Sequence, residues 1–375
     1  MKTFNFSAGP GVLPSEVLKK VQTDLLNYNN TGCSVMELSH RSDAFESILA
    51  KAESDFRSLL SIPSNYSVLF MQGGASTQFS SVVYNLVTDV KKPCDYIVTG
   101  GWSEKASAEA KRLGANVNIA LNTKSSNHNG DIALKNLKLS DDPTYIYYCD
   151  NETVHGVEFP STFIDELPYQ RIPVVCDMSS NFASRKVDVA KYGIIFGGAQ
   201  KNIGPAGLTL VIIRNDLIGL FDNCFLKGPL MLNYKTYADN RSMYNTPPTF
   251  PIYVAGLVFD WALALGGLEK IAELNNVKSK LLYDALQEYP NIYKFAVVNP
   301  DFWSRMNVPF SVIKDGIPAK DLEKQFIAGA EKLGMICLAG HRSVGGMRAS
   351  LYNALPLEGV DLLVSYIHSF AKQLK

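Results

Sequence analysis

The chain has 375 residues, of which 46% are hydrophobic and 19% charged, enough apolar material for one or two packed cores and too much for a disordered or collagen-like chain. At about 150 residues per domain, two domains are expected. Lys plus Arg and Asp plus Glu both number 36, and no basic run breaks this balance, so nucleic acid is not an expected partner.

Residues 1–10, MKTFNFSAGP, hold no apolar core of a secretory signal. A helix over Ser15–Asn27 follows. Apolar runs rich in Val, Ile and Tyr then recur at 66–72, 95–101, 115–121, 144–151, 172–179, 192–200 and 208–214. They are apolar on both faces rather than alternating, which suits the centre of a mostly parallel sheet covered on both faces, and predicts seven strands. Helical patterns at Thr77–Val87 and Ser103–Leu113 fall between strands. Ser103 is read as the cap of the second, and Glu104 suits its positive end. Strand and helix in alternation predict a doubly wound α/β domain.

The polar stretch 122–143 reads as a surface excursion. Val254–Leu268 is too short to span a bilayer and is interrupted by Asp260, so it reads as a core helix and no membrane partner is expected. The texture then changes: helix over 268–289, short strands at 295–299, 307–313 and 335–339, and helices over 319–333 and 357–374. The expected division is a large domain over 16–270 and a smaller α+β domain made of 1–15 and 271–375. The six cysteines, at 33, 94, 149, 176, 224 and 337, form no C-x-x-C pair. They read as reduced thiols in a cytoplasmic protein, with no metal site.

Ligands of open α/β sheets bind beyond the carboxyl ends of the strands. The first strand ends in MQGGASTQF, small residues opening a helix, which makes either an anion cup or an empty glycine turn. It matches neither the P-loop nor G-x-G-x-x-G. The second ends in GGWS, where Trp102 is either core or a flat face for a planar ring. The fifth ends in CDMSSN. Burying the Asp177 carboxylate is costly without a cation, so Asp177 either neutralises one or caps the next segment. The sixth runs into GGAQKNIGPAG, setting Lys201 among small residues with no adjacent acid, as a nucleophilic amine requires. A lysine, an acid, a stacking ring and a phosphate cup are the four groups that pyridoxal phosphate needs.

SAGP (7–10), SVMELSHRS (34–42), GGWS (100–103), NETVHG (151–156), GGAQKNIGPAG (197–207), YNTPPTFPIY (244–253), SRMNVPF (304–310) and HRSVGGMRASLYNA (341–354) together resemble the phosphoserine aminotransferase family, class V pyridoxal phosphate enzymes of fold type I. The resemblance implies that Lys201 bonds the cofactor as a Schiff base and that Asp177 pairs with its ring nitrogen. It implies Trp102 on the ring face and Thr153 at the phenolic oxygen. The phosphate would fall to Ala75, Ser76 and Gln200, with Asn245 and Thr246 reaching it from the neighbouring subunit of a homodimer with shared active sites. Arg41, His341 and Arg342 would take the substrate's phosphate or distal carboxylate, and Arg348 its α-carboxylate. Many bacterial members carry arginine in the anion loop where this chain has Ser76, which bears on substrate affinity.

The implied reaction moves the amino group of L-glutamate to 3-phosphohydroxypyruvate, with 4-phosphohydroxythreonine as a further possible substrate. Another class V activity, such as alanine-glyoxylate aminotransferase, is the alternative. Gln200 stands where cysteine desulfurases have histidine, which disfavours that chemistry.

Overall fold

The computed structural model describes residues 2–374. Seven strands form one sheet: β1 (Tyr66–Met71), β2 (Pro93–Val98), β3 (Asn116–Asn122), β4 (Ile146–Cys149), β5 (Val174–Asp177), β6 (Ile194–Gly198) and β7 (Thr209–Arg214), in the order β1-β7-β6-β5-β4-β2-β3. The expected sheet is present and mostly parallel. The exception is β7, which runs antiparallel to both β1 and β6. Its residues are buried on both faces, so nothing in their pattern marks its direction.

Both faces of the sheet are apolar and covered except at the edge strand β3, where Asn116, Ile119 and Asn122 are exposed. Val68, Phe70, Leu210 and Ile212 point into one core with Phe45, Phe56 and Phe259. The intervening Leu69, Met71, Val211 and Ile213 point into another with Phe79, Val82 and Tyr147. Helices α1 (Ser15–Asp24) and α2 (Asp43–Leu60) contribute to the first layer, α3 (Gly74–Leu86) and α4 (Gly101–Arg112) to the second.

Two helix starts differ from expectation. α3 begins three residues early, since Gly73 and Gly74 take φ of 93° and 69°, a turn that only glycine makes freely. Gly73 also leaves room for Thr77, whose Oγ1 would lie 2.2 Å from a β-carbon there. In α4 the cap position is Gly100, and Ser103 lies one turn in, its hydroxyl accepting the Thr99 and Gly100 N–H groups. The helix end is satisfied instead by Glu152, far away in sequence.

α5 (Tyr234–Asp239) is followed by α6 (Thr249–Ala264), whose residues Ile252, Ala255 and Phe259 are fully buried. α7 (Gly267–Gln287) is bent 85° from α6, and no single helix among the described residues is long and apolar enough to cross a membrane. A second sheet has β9 (Asn307–Lys314) paired antiparallel with β8 (Tyr293–Phe295), β10 (Ile317–Pro318) and β11 (Met347–Ser350). Phe310, Val312 and Met347 pack there against Phe326 of α8 (Lys320–Lys332) and Leu363 and Ile367 of α9 (Leu357–Gln373). Phe4 and Phe6 join this core, and Phe4–Asn5 pairs in parallel with Met335–Ile336.

The division expected at 270/271 falls inside α7. Its Leu268 and Ile271 belong to the first core and its Leu282 and Leu286 to the second. Between them the buried Lys278 ammonium donates to the carbonyls of Leu351 (2.9 Å), Tyr352 (2.8 Å) and Leu355 (3.3 Å). The stretch 122–143 is more than a surface excursion: Ile132 and His128 are buried, and the Asn129 carbonyl accepts Val298 N–H at 2.8 Å.

Candidate active site

The carboxyl ends of β1, β2, β4, β5 and β6 share one edge of the sheet, and each ends in or is followed by a residue singled out in the sequence. β4 stops at Cys149, and the chain forms a small hairpin in which Asn151–Glu152 pairs with Val157–Glu158. The hairpin turn presents Thr153, whose hydroxyl accepts Lys201 Nζ at 2.7 Å. The same ammonium lies 5.0 Å from the Trp102 ring centre.

Asp177, at the end of β5, is buried, and one of its oxygens, Oδ1, takes both the Ser179 N–H (2.9 Å) and the Ser179 hydroxyl (2.6 Å). It caps a turn and faces a cation at once. Burial pushes its carboxyl up, against the pull of the Lys201 ammonium and the Ser179 bonds. Burial likewise pushes the Lys201 amine down, against the attraction of Asp177.

Three supports were not legible in the sequence as such. The buried Glu152 carboxylate accepts the Trp102 N–H (2.9 Å), the Ser103 N–H (2.8 Å) and the Ser103 hydroxyl (2.6 Å). His155, from the same hairpin, accepts the Gly101 N–H at 3.2 Å, and burial holds its imidazole at about 4, so it is neutral at pH 7. The 151–158 hairpin therefore aims Trp102 as well as Thr153. The third support is the amino-terminal segment. Gly11 N–H donates to Gln200 O at 2.7 Å, and a β-carbon on Gly11 would meet Lys201 O and the Tyr352 ring, each at 2.7 Å. The Tyr352 hydroxyl donates to Ala8 O at 2.6 Å.

Arg348, on β11 of the second sheet, donates to Thr153 O at 3.1 Å, so its guanidinium is brought beside Lys201. His341 and Arg342 line an open cleft of about 1050 Å³ together with Trp102, Lys105 and His155. The His341 Nδ1 pairs with the Ser343 hydroxyl at 2.6 Å, and burial followed by the nearby Arg348, Lys105 and Arg342 cations lowers its proton affinity.

Lys201, Asp177, Thr153, Trp102 and Arg348 thus converge. Ala75 and Ser76 occupy the first turn of α3, where N–H groups lack acceptors within the helix. Gln200 is half-buried, its amide packed so close to Gly198 that a β-carbon there would lie 2.6 Å from its oxygen. Asn245, Thr246 and Arg41 are exposed, and none has a side-chain hydrogen bond or ion pair within the described residues.

The donor set fits a flat phosphorylated ring aldehyde. It offers a helix end for a phosphate, a buried acid for a ring nitrogen and an amine for the aldehyde. The buried Trp102 Nε1 has no protein partner, which leaves a donor for something in the site.

The model of the class-V aminotransferases matches residues 3–363. Phosphoserine aminotransferase of Pseudomonas syringae is 48% identical over 372 residues, covering 99% of each chain. The structure of phosphoserine aminotransferase from Bacillus circulans subsp. alkalophilus superposes with a TM-score of 0.91 at 38% identity, covering 100% of this chain and 99% of that one. That of the pyridoxal-phosphate-bound enzyme from Trichomonas vaginalis gives 0.90 at 40%, covering 98% and 100%. The chain belongs to the class-V aminotransferase family.

Proposed function

We propose that the chain is a phosphoserine aminotransferase, carrying the amino group of L-glutamate to 3-phosphohydroxypyruvate to give O-phospho-L-serine and 2-oxoglutarate, with pyridoxal 5'-phosphate as cofactor. The observation that carries this reading is the meeting of Lys201, Asp177, Thr153 and Trp102 at one sheet edge, beside an arginine and a cationic cleft. When bound, pyridoxal phosphate supplies an electrophilic aldehyde and a sink for the electrons of the breaking C–H bond.

Each protein group then has a task set by its position. With the cofactor bound, Asp177 would keep a proton on the ring nitrogen through the oxygen that Ser179 leaves free. The Thr153 hydroxyl, bonded to Lys201 Nζ, would hold the phenolic oxygen. Ala75, Ser76 and Gln200 would hold the phosphate, and Trp102 would offer the flat face for the ring. Lys201 Nζ, whose proton affinity burial lowers, moves the α-proton of the amino acid, since a tethered amine needs no encounter step. Arg348 pairs with the α-carboxylate through two parallel N–H bonds, and His341, Arg342 and Arg41 take the distal anion.

The exposed and unpartnered Asn245 and Thr246 fit a homodimer in which they complete the partner's phosphate site. We read 16–270 as the cofactor-binding domain and 1–15 with 271–375 as a smaller domain bringing Arg348 to it. Free thiols at all six cysteines support a cytoplasmic location.

The test is acceptor choice. Purified protein reconstituted with pyridoxal phosphate should lose its visible absorption band with glutamate and regain it with 3-phosphohydroxypyruvate. If glyoxylate or pyruvate is the better acceptor, the alanine-glyoxylate type of activity takes its place.

A further inference from the structure

The cleft beside the reaction centre has α4 as one wall, and its charges do not balance. Its only carboxylate is Glu104, which is ion-paired with Lys124. Lys105 and Arg342 are left facing the cleft with no carboxylate partner among the described residues. Lys105 lies one turn outward from Trp102 on the same helix, its Nζ 4.5 Å from the ring centre, while Lys201 approaches that ring at 5.0 Å. The indole therefore joins the reacting amine to a second lysine farther out. Lys105 and Arg342 line the cleft together with His341, and both, with Arg348, lie near enough to disfavour a proton on its imidazole.

We propose that Lys105 is a specificity residue that pairs with the distal phosphate of the oxo acid and separates it from substrates with a smaller distal charge. The inference rests on the phosphorylated acceptor proposed above. Arg348 is engaged with Thr153 O at the inner end, which fits it to an α-carboxylate. A substrate anchored there extends along Trp102 toward Lys105, His341 and Arg342. An ammonium is a compact point charge without the planar preference of a guanidinium. Its attraction scales with the ligand's charge, so a phosphate dianion gains about twice what a carboxylate gains. A phosphate monoester is mostly dianionic above about pH 6. For an exposed pair, removing the lysine costs about threefold on a monoanion, which is about 0.7 kcal/mol per unit charge, and about tenfold on a dianion.

The experiment compares kcat/KM for 3-phosphohydroxypyruvate, for unphosphorylated hydroxypyruvate and for glutamate at pH 8 in the holoenzyme carrying Lys105→Gln. Lys105→Arg serves as the charge-preserving variant. Lys111→Gln, the same charge change on α4 outside the cleft, is the control. Lys105→Gln should lose about tenfold with the phosphorylated acceptor, about threefold with glutamate and less than twofold with hydroxypyruvate. Lys105→Arg should restore most of the loss, and Lys111→Gln should change none of the three. Equal losses on all three substrates, with a shift in Trp fluorescence, would show that Lys105 only braces Trp102, and the proposal fails. A phosphorylated-to-unphosphorylated ratio held within twofold also overturns it, with the parent function intact. A wild type that shows no preference for the phosphorylated acceptor instead refutes the parent reading.

Discussion

Glu152→Gln keeps the shape of the side chain that aims Trp102 and removes its charge. In the wild type both carboxylate oxygens act only as acceptors, Oε1 from Ser103 N–H and hydroxyl and Oε2 from Trp102 N–H. An amide keeps one oxygen. Placed toward Ser103, it turns its NH2 against the Trp102 N–H, donor facing donor. The loss is then one charge-assisted bond, about 1.5–3 kcal/mol, plus a buried N–H without acceptor, about 1–3 kcal/mol. Burial pushes the Glu152 carboxyl up, so removing the charge offsets part of that loss, and the net cost is about 2–4 kcal/mol. Global unfolding of a two-core chain is a poor measure of it. Amide hydrogen exchange reads it locally: the Trp102 and Ser103 N–H groups should exchange roughly 30- to 700-fold faster. Turnover should fall with them, because the stacking face is no longer held. Unchanged protection of those two amides would refute the reasoning, as would a Glu152→Ala variant that is better protected than Glu152→Gln.

Lys201→Ala should abolish turnover while preserving the fold and some cofactor binding, and borohydride reduction of the wild type followed by peptide mapping should place the label on Lys201; a label on any other lysine contradicts the assignment. Co-refolding a Lys201→Ala subunit with a Thr246→Arg subunit should restore up to one working site per heterodimer, whereas no recovery in verified heterodimers would assign Thr246 to its own subunit or to no site. Burial pushes the Glu158 carboxyl up, but the Arg305 and Arg185 guanidiniums outweigh it and hold it at about 2. Its folded value lies below the ordinary 4.5, so it stabilises fully above that pH, by about 3 kcal/mol, and the contribution is lost as pH falls toward 2. Arg305→Met should therefore move the acid-unfolding midpoint, followed by circular dichroism, to higher pH, and an unmoved midpoint would count against the pair.

The parts of the fold and site that were legible are those with a local physical signature. Seven runs apolar on both faces announce a covered sheet, and a lysine and an acid closing two such runs stand out because strand ends are where charge is costly to leave unpaired. Other parts have no such signature. The direction of β7 leaves no trace, because Leu210 and Val211 are buried alike whichever way the strand runs. Ser103 looks like a cap because serine before a helical pattern usually is one, yet the acceptor that closes α4 comes from a hairpin about fifty residues later.

The supports of the site share one cause of invisibility: they are bonds between a side chain and another segment's backbone. Glu152 holds the Trp102 and Ser103 amides, Arg348 the Thr153 carbonyl, Tyr352 the Ala8 carbonyl. A backbone amide looks the same in every residue, so the receiving end of such a bond carries no letter in the sequence. What the sequence does carry is the space that the bond requires. A β-carbon on Gly100 would lie 2.4 Å from the Glu152 carboxyl carbon, and one on Gly11 would strike Lys201 O. Gly100 has extended backbone that any residue adopts, so it is glycine for clearance and not for conformation. A glycine at a strand end, read alone as a turn, is then the imprint of a partner from elsewhere in the chain. Gly100→Ala should consequently reproduce the faster Trp102 and Ser103 exchange of Glu152→Gln with the carboxylate still in place, since the added methyl displaces the acceptor that the amide substitution disables.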